Sequence, residues 1–138
     1  MMEFRRAKLC DVRHCLYFEP TRGEEDLRWH AQAGLLFLAD ADDQVLAYAR
    51  VESFWATMPY LALIVVHKDH RGGGIGTGLL TFIRDDLRAR GYKHLLSSST
   101  ANEPEPQHWH ELNGFVPIGA LEGLNAEGVD EVFFRLEL

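Results

Sequence analysis

The sequence predicts an α/β fold, a single-domain mixed β-sheet flanked by helices, and three observations carry that expectation. Tyr60–Val66 is a wholly apolar strand candidate followed, after a short polar link, by a glycine run and an amphipathic helix pattern. Val132, Phe134, Leu136 and Leu138 alternate so as to share one face of a C-terminal strand. No internal repeat or linker divides the 138 residues, so one domain over 1–138 is expected. A chain of this length can remove roughly 70% of its unfolded surface from water, enough for one core without staples.

The elements follow in order. Phe4–Leu9 alternates loosely as a first strand, and Asp11 is placed to cap a short helical segment, Val12–Phe18. Pro20 and Gly23 interrupt the chain before Glu24–Gln32, which has helical composition, acids in its first turn and Gly34 as a stop. Leu35–Ala39 and Val45–Phe54 are strands joined at Asp40, Asp42 and Asp43, which makes a hairpin. Tyr60–Val66 reads as a central strand buried on both faces. Beyond the glycines, Ile75, Leu79, Ile83 and Leu87 recur every four residues with Leu80 beside them, a helix ending near Arg90 and Gly91. Lys93–Ser98, a short helix opened by Pro104 and Pro106 and running through Asn113, Phe115–Ile118 and Glu131–Leu138 complete the chain.

Composition narrows the function. With 14 Lys+Arg against 21 Asp+Glu the net charge is -7, which disfavours nucleic acid as a partner. No segment approaches 18 consecutive apolar residues, and Met1–Arg6 is not followed by a signal-like apolar run, so no membrane partner is expected. Cys10 and Cys15 match neither a redox pair nor a zinc-ligand pattern, which fits a cytoplasmic, reducing location. The charge is uneven: six basic residues against three acidic ones between Lys68 and Lys93, but eight acidic residues and only Arg135 after Asn102. The first segment suits phosphates and the second a cation; solvated faces are the plain alternative.

Five glycines, at 72, 73, 74, 76 and 78, stand between the apolar strand and the helix. Residues without side chains weaken a helix start unless the backbone turns sharply or something approaches it closely. A helix N-terminus offers free N–H groups and the positive end of the macrodipole, a geometry that suits phosphate oxygens. A nucleotide P-loop would require a lysine, yet Gly78 is followed by Leu79. The dinucleotide fingerprint is matched only in a shifted sense, lacks its last glycine, and has no second βαβ unit to complete it.

The stretch from His70 to Leu80, RGGGIG at its centre, resembles the acetyl-CoA signature R/Q-x-x-G-x-G/A of the GCN5-related N-acetyltransferases, with Arg71, Gly74 and Gly76 at the defining positions. Ile64–Val66 resembles that family's fourth strand, and Asn102 with Trp109–Phe115 resembles its later asparagine and helix-to-strand segment. The resemblance implies acetyl-CoA as acyl donor. Ile64, Val65 and Val66 would then flank the thioester, and Arg71, Gly72, Gly73, Gly74, Ile75, Gly76 and Thr77 the pyrophosphate. The Val66 N–H would polarise the thioester carbonyl.

Amine acylation further needs a neutral amine and a proton for the leaving thiolate. Glu52, on the strand before the fourth, is the candidate base; its plain alternative is a solvent-facing strand residue. The fourth strand carries no glutamate, and Tyr60 is its one polar side chain. His110 stands where the family commonly has a tyrosine acid, and is the candidate acid; its plain alternative is a helix cap. His108, His110 and Glu111 do not have metal-ligand spacing, so no metal is expected. Trp55, Trp109 and Tyr60 are expected in packing, with an acceptor-pocket wall as the alternative. With no evident acyl-enzyme nucleophile, direct transfer within a ternary complex to a primary amine, expected to be a cationic small molecule, is implied. The alternative is a non-catalytic acyl-CoA-binding or sensing module; a homodimer is compatible with either reading.

Overall fold

A computed structural model describes all of Met1–Leu138. Its strands are β1 (Glu3–Arg6), β2 (Leu36–Ala41), β3 (Gln44–Phe54), β4 (Met58–Val66), β5 (His94–Thr100), β6 (Val116–Leu121) and β7 (Glu131–Glu137). Its helices are α1 (Val12–Phe18), α2 (Glu24–Gln32), α3 (Ile75–Ala89) and α4 (Pro104–Leu112). The strands form one seven-stranded sheet in the order β1-β2-β3-β4-β5-β7-β6. It is mixed: β4 and β5 run parallel, whereas β1/β2, β2/β3, β5/β7 and β6/β7 are antiparallel. No helix is long and apolar enough to cross a membrane. The chain divides into two compact units, residues 1–52 with 62–86 and residues 53–61 with 87–138.

In the first unit, Asp42 and Asp43 both take positive φ, 51° and 63°, in the two-residue turn that closes the β2/β3 hairpin. That backbone twist matches the twist of the flanking strands, and aspartate tolerates the left-handed region. Leu36, Leu38 and Tyr48 form a core with Val12 and Cys15 of α1 and Leu27 of α2, against which Leu63 and Val65 pack. The helix stripe predicted from the sequence is buried at Ile75, Leu79, Leu80 and Ile83. Asp11 departs from expectation. Its carboxylate makes no cap bond to α1; it accepts from the Lys8 N–H at 2.7 Å and from Arg5 Nη1 at 2.7 Å. This closes a 3-10 turn, Leu9–Asp11, and the first strand, expected to reach Leu9, ends at Arg6.

In the second unit, Leu87, Leu95, Phe115, Phe134 and Leu136 are buried together with Leu61. Alternation explains β5, whose buried positions are Leu95, Ser97 and Ser99. Gly91, at φ 93°, ends the α3 segment as predicted. Trp55 corrects the packing expectation: it is 81% exposed, in the turn after β3, with φ 54°. The β4 expectation also needs correction, because Ala62–Val66 are half-buried rather than enclosed on both faces. One packed face needs only alternate apolar residues, so a continuous apolar run is compatible with burial of the second face without establishing it.

Candidate active site

The glycine run resolves into separate causes. Gly72 and Gly74 have φ of 84° and 82°, and a Cβ built on either would meet no atom within 4 Å. Their requirement is conformational: L-residues disfavour this region, and the space above the turn is open. Gly78 differs, since a Cβ there would lie 2.4 Å from Cζ of Phe4, so it is the close passage of α3 over β1 that excludes a side chain. The Gly78 N–H donates to the Gly74 carbonyl at 2.9 Å, which makes Gly74 the residue at which the α3 ladder starts. Ile75 and Gly76 therefore occupy the first turn, where N–H groups lie outside the intrahelical ladder and the macrodipole is positive. Arg71 Nε donates to the Val66 carbonyl at 3.1 Å and ties the end of β4 to this turn. Gly73 and Thr77 complete the segment.

The first unit also contains Glu52. One carboxylate oxygen, Oε1, lies 2.9 Å from His30 Nε2, and the other is paired with Arg50 Nη1. His30 is buried on α2 and its Nδ1 donates to the Asp26 carbonyl at 2.9 Å. Arg50 is buried as well; its Nε donates to Glu19 Oε1 at 2.8 Å, and the Tyr48 hydroxyl donates to the same oxygen at 2.7 Å. Burial acts to raise the Glu19 pKa, but the bonds from Arg50 and Tyr48 and the charges of Arg50 and Arg22 outweigh it and hold the carboxyl below its usual range. The Tyr48 hydroxyl is pushed up, by burial first and by its bond to Glu19 second. A shallow cavity of about 270 Å3 is lined by Glu19, Thr21, Arg22, Gly23 and Asp26. Glu52 keeps a side-chain exposure of 34%.

His110 lies in the second unit and is 5% exposed. Its ring stacks on Phe134, centroids 4.5 Å apart, and meets Phe115 edge-on at 5.0 Å. Nδ1 is 2.7 Å from the Pro106 carbonyl, an acceptor only, so Nδ1 carries the hydrogen. Nε2 is 2.7 Å from Ser97 Oγ, which also lies 3.1 Å from the Leu61 carbonyl. Burial lowers the imidazole pKa, and the bond to Pro106 opposes it without prevailing. The neutral ring is thus the resting form, with the Ser97 hydroxyl shared between Nε2 and Leu61. Asn102 sits in the turn between β5 and α4, a turn held by Gln107 Nε2 donating to the carbonyls of Thr100 and Ala101 at 3.1 and 2.9 Å.

Sequence reading missed His30, Arg50, Glu19 and Ser97. His30 on α2 and Glu19 after α1 reach Glu52 from other elements, Glu19 by way of Arg50, and no spacing signals that; Arg50, two residues before Glu52 on β3, shares its face by alternation. The hydroxyl run Ser97–Thr100, following the apolar pair Leu95–Leu96, was the available clue.

The seven-stranded mixed sheet flanked by helices has the fold of solved acetyltransferases. The chain belongs to the acetyltransferase (GNAT) family, whose model matches residues 5–115. No curated protein matches the sequence. Among solved structures, yncA from Salmonella typhimurium, a candidate acetyltransferase solved with its cofactor acetyl-CoA, superposes with a TM-score of 0.86 at 17% identity, covering 100% of this chain and 94% of that one. The ribosomal-protein-alanine N-acetyltransferase of Brucella melitensis gives 0.84 at 22% identity over 99% of both chains. An N-acetyltransferase of Staphylococcus aureus Mu50 gives 0.81 at 21%, over 99% and 98%. At such identities the likeness is one of fold.

Proposed function

We propose that residues 1–138 act as one catalytic domain that transfers the acetyl group of acetyl-CoA to a primary amine on a cationic small molecule. The observation that carries this reading is the turn Arg71–Gly74: two glycines at positive φ, open space above them, and the first turn of α3 immediately behind. Those features fit a pyrophosphate approaching backbone amides. Arg71, Gly72, Gly73, Gly74, Ile75, Gly76 and Thr77 would hold it. The backbone of Ile64, Val65 and Val66 would receive the pantetheine arm in the manner of an added strand. Acetyl-CoA supplies the activated acyl group.

Direct transfer is supported by the state of Cys15. Cys15 is fully buried and burial pushes its thiol up to about 12, far from a thiolate nucleophile at neutral pH. Glu52, the candidate base of the sequence, has one oxygen paired with Arg50 Nη1 and the other 2.9 Å from His30 Nε2, while a third of its side chain stays exposed. That arrangement suits a carboxylate that recognises the acceptor's positive charge. His110, with both nitrogens engaged and the ring buried, is suited to setting Ser97 and the Leu61 carbonyl rather than to meeting the amine itself.

The test is release of CoA thiol from acetyl-CoA over a panel of matched mono-, di- and polyamines, with product mass, at low and high salt. Saturable thiol release supports the enzyme, and tight acetyl-CoA binding without release marks a binding module. The acidic excess after Asn102 should favour polycations, and the preference should shrink as the Debye length falls from roughly 10 Å at 0.1 M to about 3 Å at 1 M salt. A best acceptor that is neutral away from its reacting nitrogen would overturn the cationic assignment alone.

A further inference from the structure

Adjacent serines of β5 serve opposite faces of the sheet. Ser97 is buried and turned toward His110, so Ser98, next along the strand, projects from the other, half-buried face. The register puts Tyr60 opposite Leu96 and Glu131 opposite Thr100, so both are diagonal neighbours of Ser98 on that face. The Tyr60 hydroxyl lies 2.6 Å from Ser98 Oγ, and Ser98 Oγ donates to Glu131 Oε2 at 2.7 Å. Ser98 has one hydrogen, committed to the carboxylate, so Tyr60 is the donor in the first bond. Every O–H in this row therefore points toward Glu131, and Tyr60 Oη retains its lone pairs for a proton arriving from outside. The bond to Glu131 is a charge-assisted one, and the bond that feeds it lies at the short end of the ordinary O–H···O range.

Resting on the N-acetyltransferase reading, we infer that Tyr60, Ser98 and Glu131 are the proton path of the reaction, with Tyr60 the catalytic residue that meets the amine and Glu131 the final acceptor. As the amine nitrogen gives up a proton to Tyr60 Oη, the phenolic proton passes to Ser98 Oγ and the Ser98 proton passes to Glu131 Oε2. At each hydroxyl one O–H bond forms as one breaks, so neither acquires lasting charge. One proton leaves the amine and one arrives on the carboxylate, which is half-exposed and returns it to water. The row gives β4 the equivalent of a carboxylate at a distance, reached from the only polar side chain that strand presents. Phe54 and Phe133 flank the Tyr60 ring at centroid distances of 6.5 and 6.2 Å, and the exposed Trp55 packs on Phe54 at 4.8 Å. Such rings favour an approaching ammonium.

The experiment compares two acceptors at one neutral pH: a strongly basic alkylamine, which must lose a proton, and methoxyamine, which is already neutral. Tyr60→Phe, Ser98→Ala and Glu131→Gln should each lower kcat for the alkylamine by roughly 100-fold. They should leave the calorimetric Kd for acetyl-CoA unchanged. With methoxyamine the deficit should vanish, and Ser98→Thr, which keeps a hydroxyl, should recover most of the alkylamine rate. Wild-type kcat in Glu131→Gln, or equal losses with both acceptors, would overturn the relay while leaving the acetyltransferase reading in place. Wild-type protein that acetylates no amine would overturn both.

Discussion

Replacing Gly74 and Gly78 by alanine, one at a time, separates two reasons for a glycine that the sequence writes identically. At Gly78 the new Cβ would sit 2.4 Å from Cζ and 3.1 and 3.2 Å from the Cε atoms of Phe4, so the ring must move by about 1 Å to reach ordinary contact. Overpacking of this kind costs about 1–3 kcal/mol, and the better helix propensity of alanine returns up to about 1 kcal/mol. The net loss of about 1–2 kcal/mol should lower Tm by about 3–7 °C, given an unfolding entropy of about 2.1 cal/mol/K per residue. At Gly74 no clash exists, but φ of 82° costs an L-residue about 1–2 kcal/mol. Thermal stability falls by a similar amount in both variants, so the separating assay is calorimetric titration with acetyl-CoA below both midpoints. Gly74→Ala should bind weakly, because its methyl stands in the open space assigned to the pyrophosphate; Gly78→Ala should bind as wild type. Unchanged affinity in Gly74→Ala would refute the cradle, and an undiminished Tm in Gly78→Ala would refute the packing argument.

Glu52→Gln should raise KM for a cationic acceptor roughly 10-fold, the equivalent of about 1–2 kcal/mol for a charge-assisted bond, with kcat near wild type. A fall in kcat at constant KM would instead return Glu52 to proton transfer. His110 should weaken the fold in acid. Its folded pKa is lowered by burial, so below the ordinary value near 6.5 the unfolded chain binds a proton that the folded chain refuses. The contribution is complete above that value and is lost as pH falls through the folded one. His110→Phe removes it, so plots of Tm against pH from 7 down to 5 should fall less steeply in the variant; parallel plots would refute the linkage.

The fold was legible because its signals are local. Helix α2 coincides with the predicted Glu24–Gln32, and the stripe from Ile75 to Leu87 is buried as its four-residue recurrence required. The glycine turn could be located, since a positive φ leaves its mark on the residue that adopts it. What surrounds each polar side chain could not be read, because Glu52 meets His30 across 22 positions and Ser98 meets Glu131 across 33. The packing of α2 sets the first distance and strand pairing the second, and packing and register are properties of two segments together, absent from either alone. Burial then decided the chemistry open to each group: the same imidazole that sequence places at the family's acid position is enclosed by Phe134 and Phe115 and held neutral. Meanwhile Tyr60, expected from the sequence in packing or in an acceptor-pocket wall, stands at the head of a hydrogen-bonded row ending in a carboxylate, because two serines adjacent in sequence must face opposite sides of a strand.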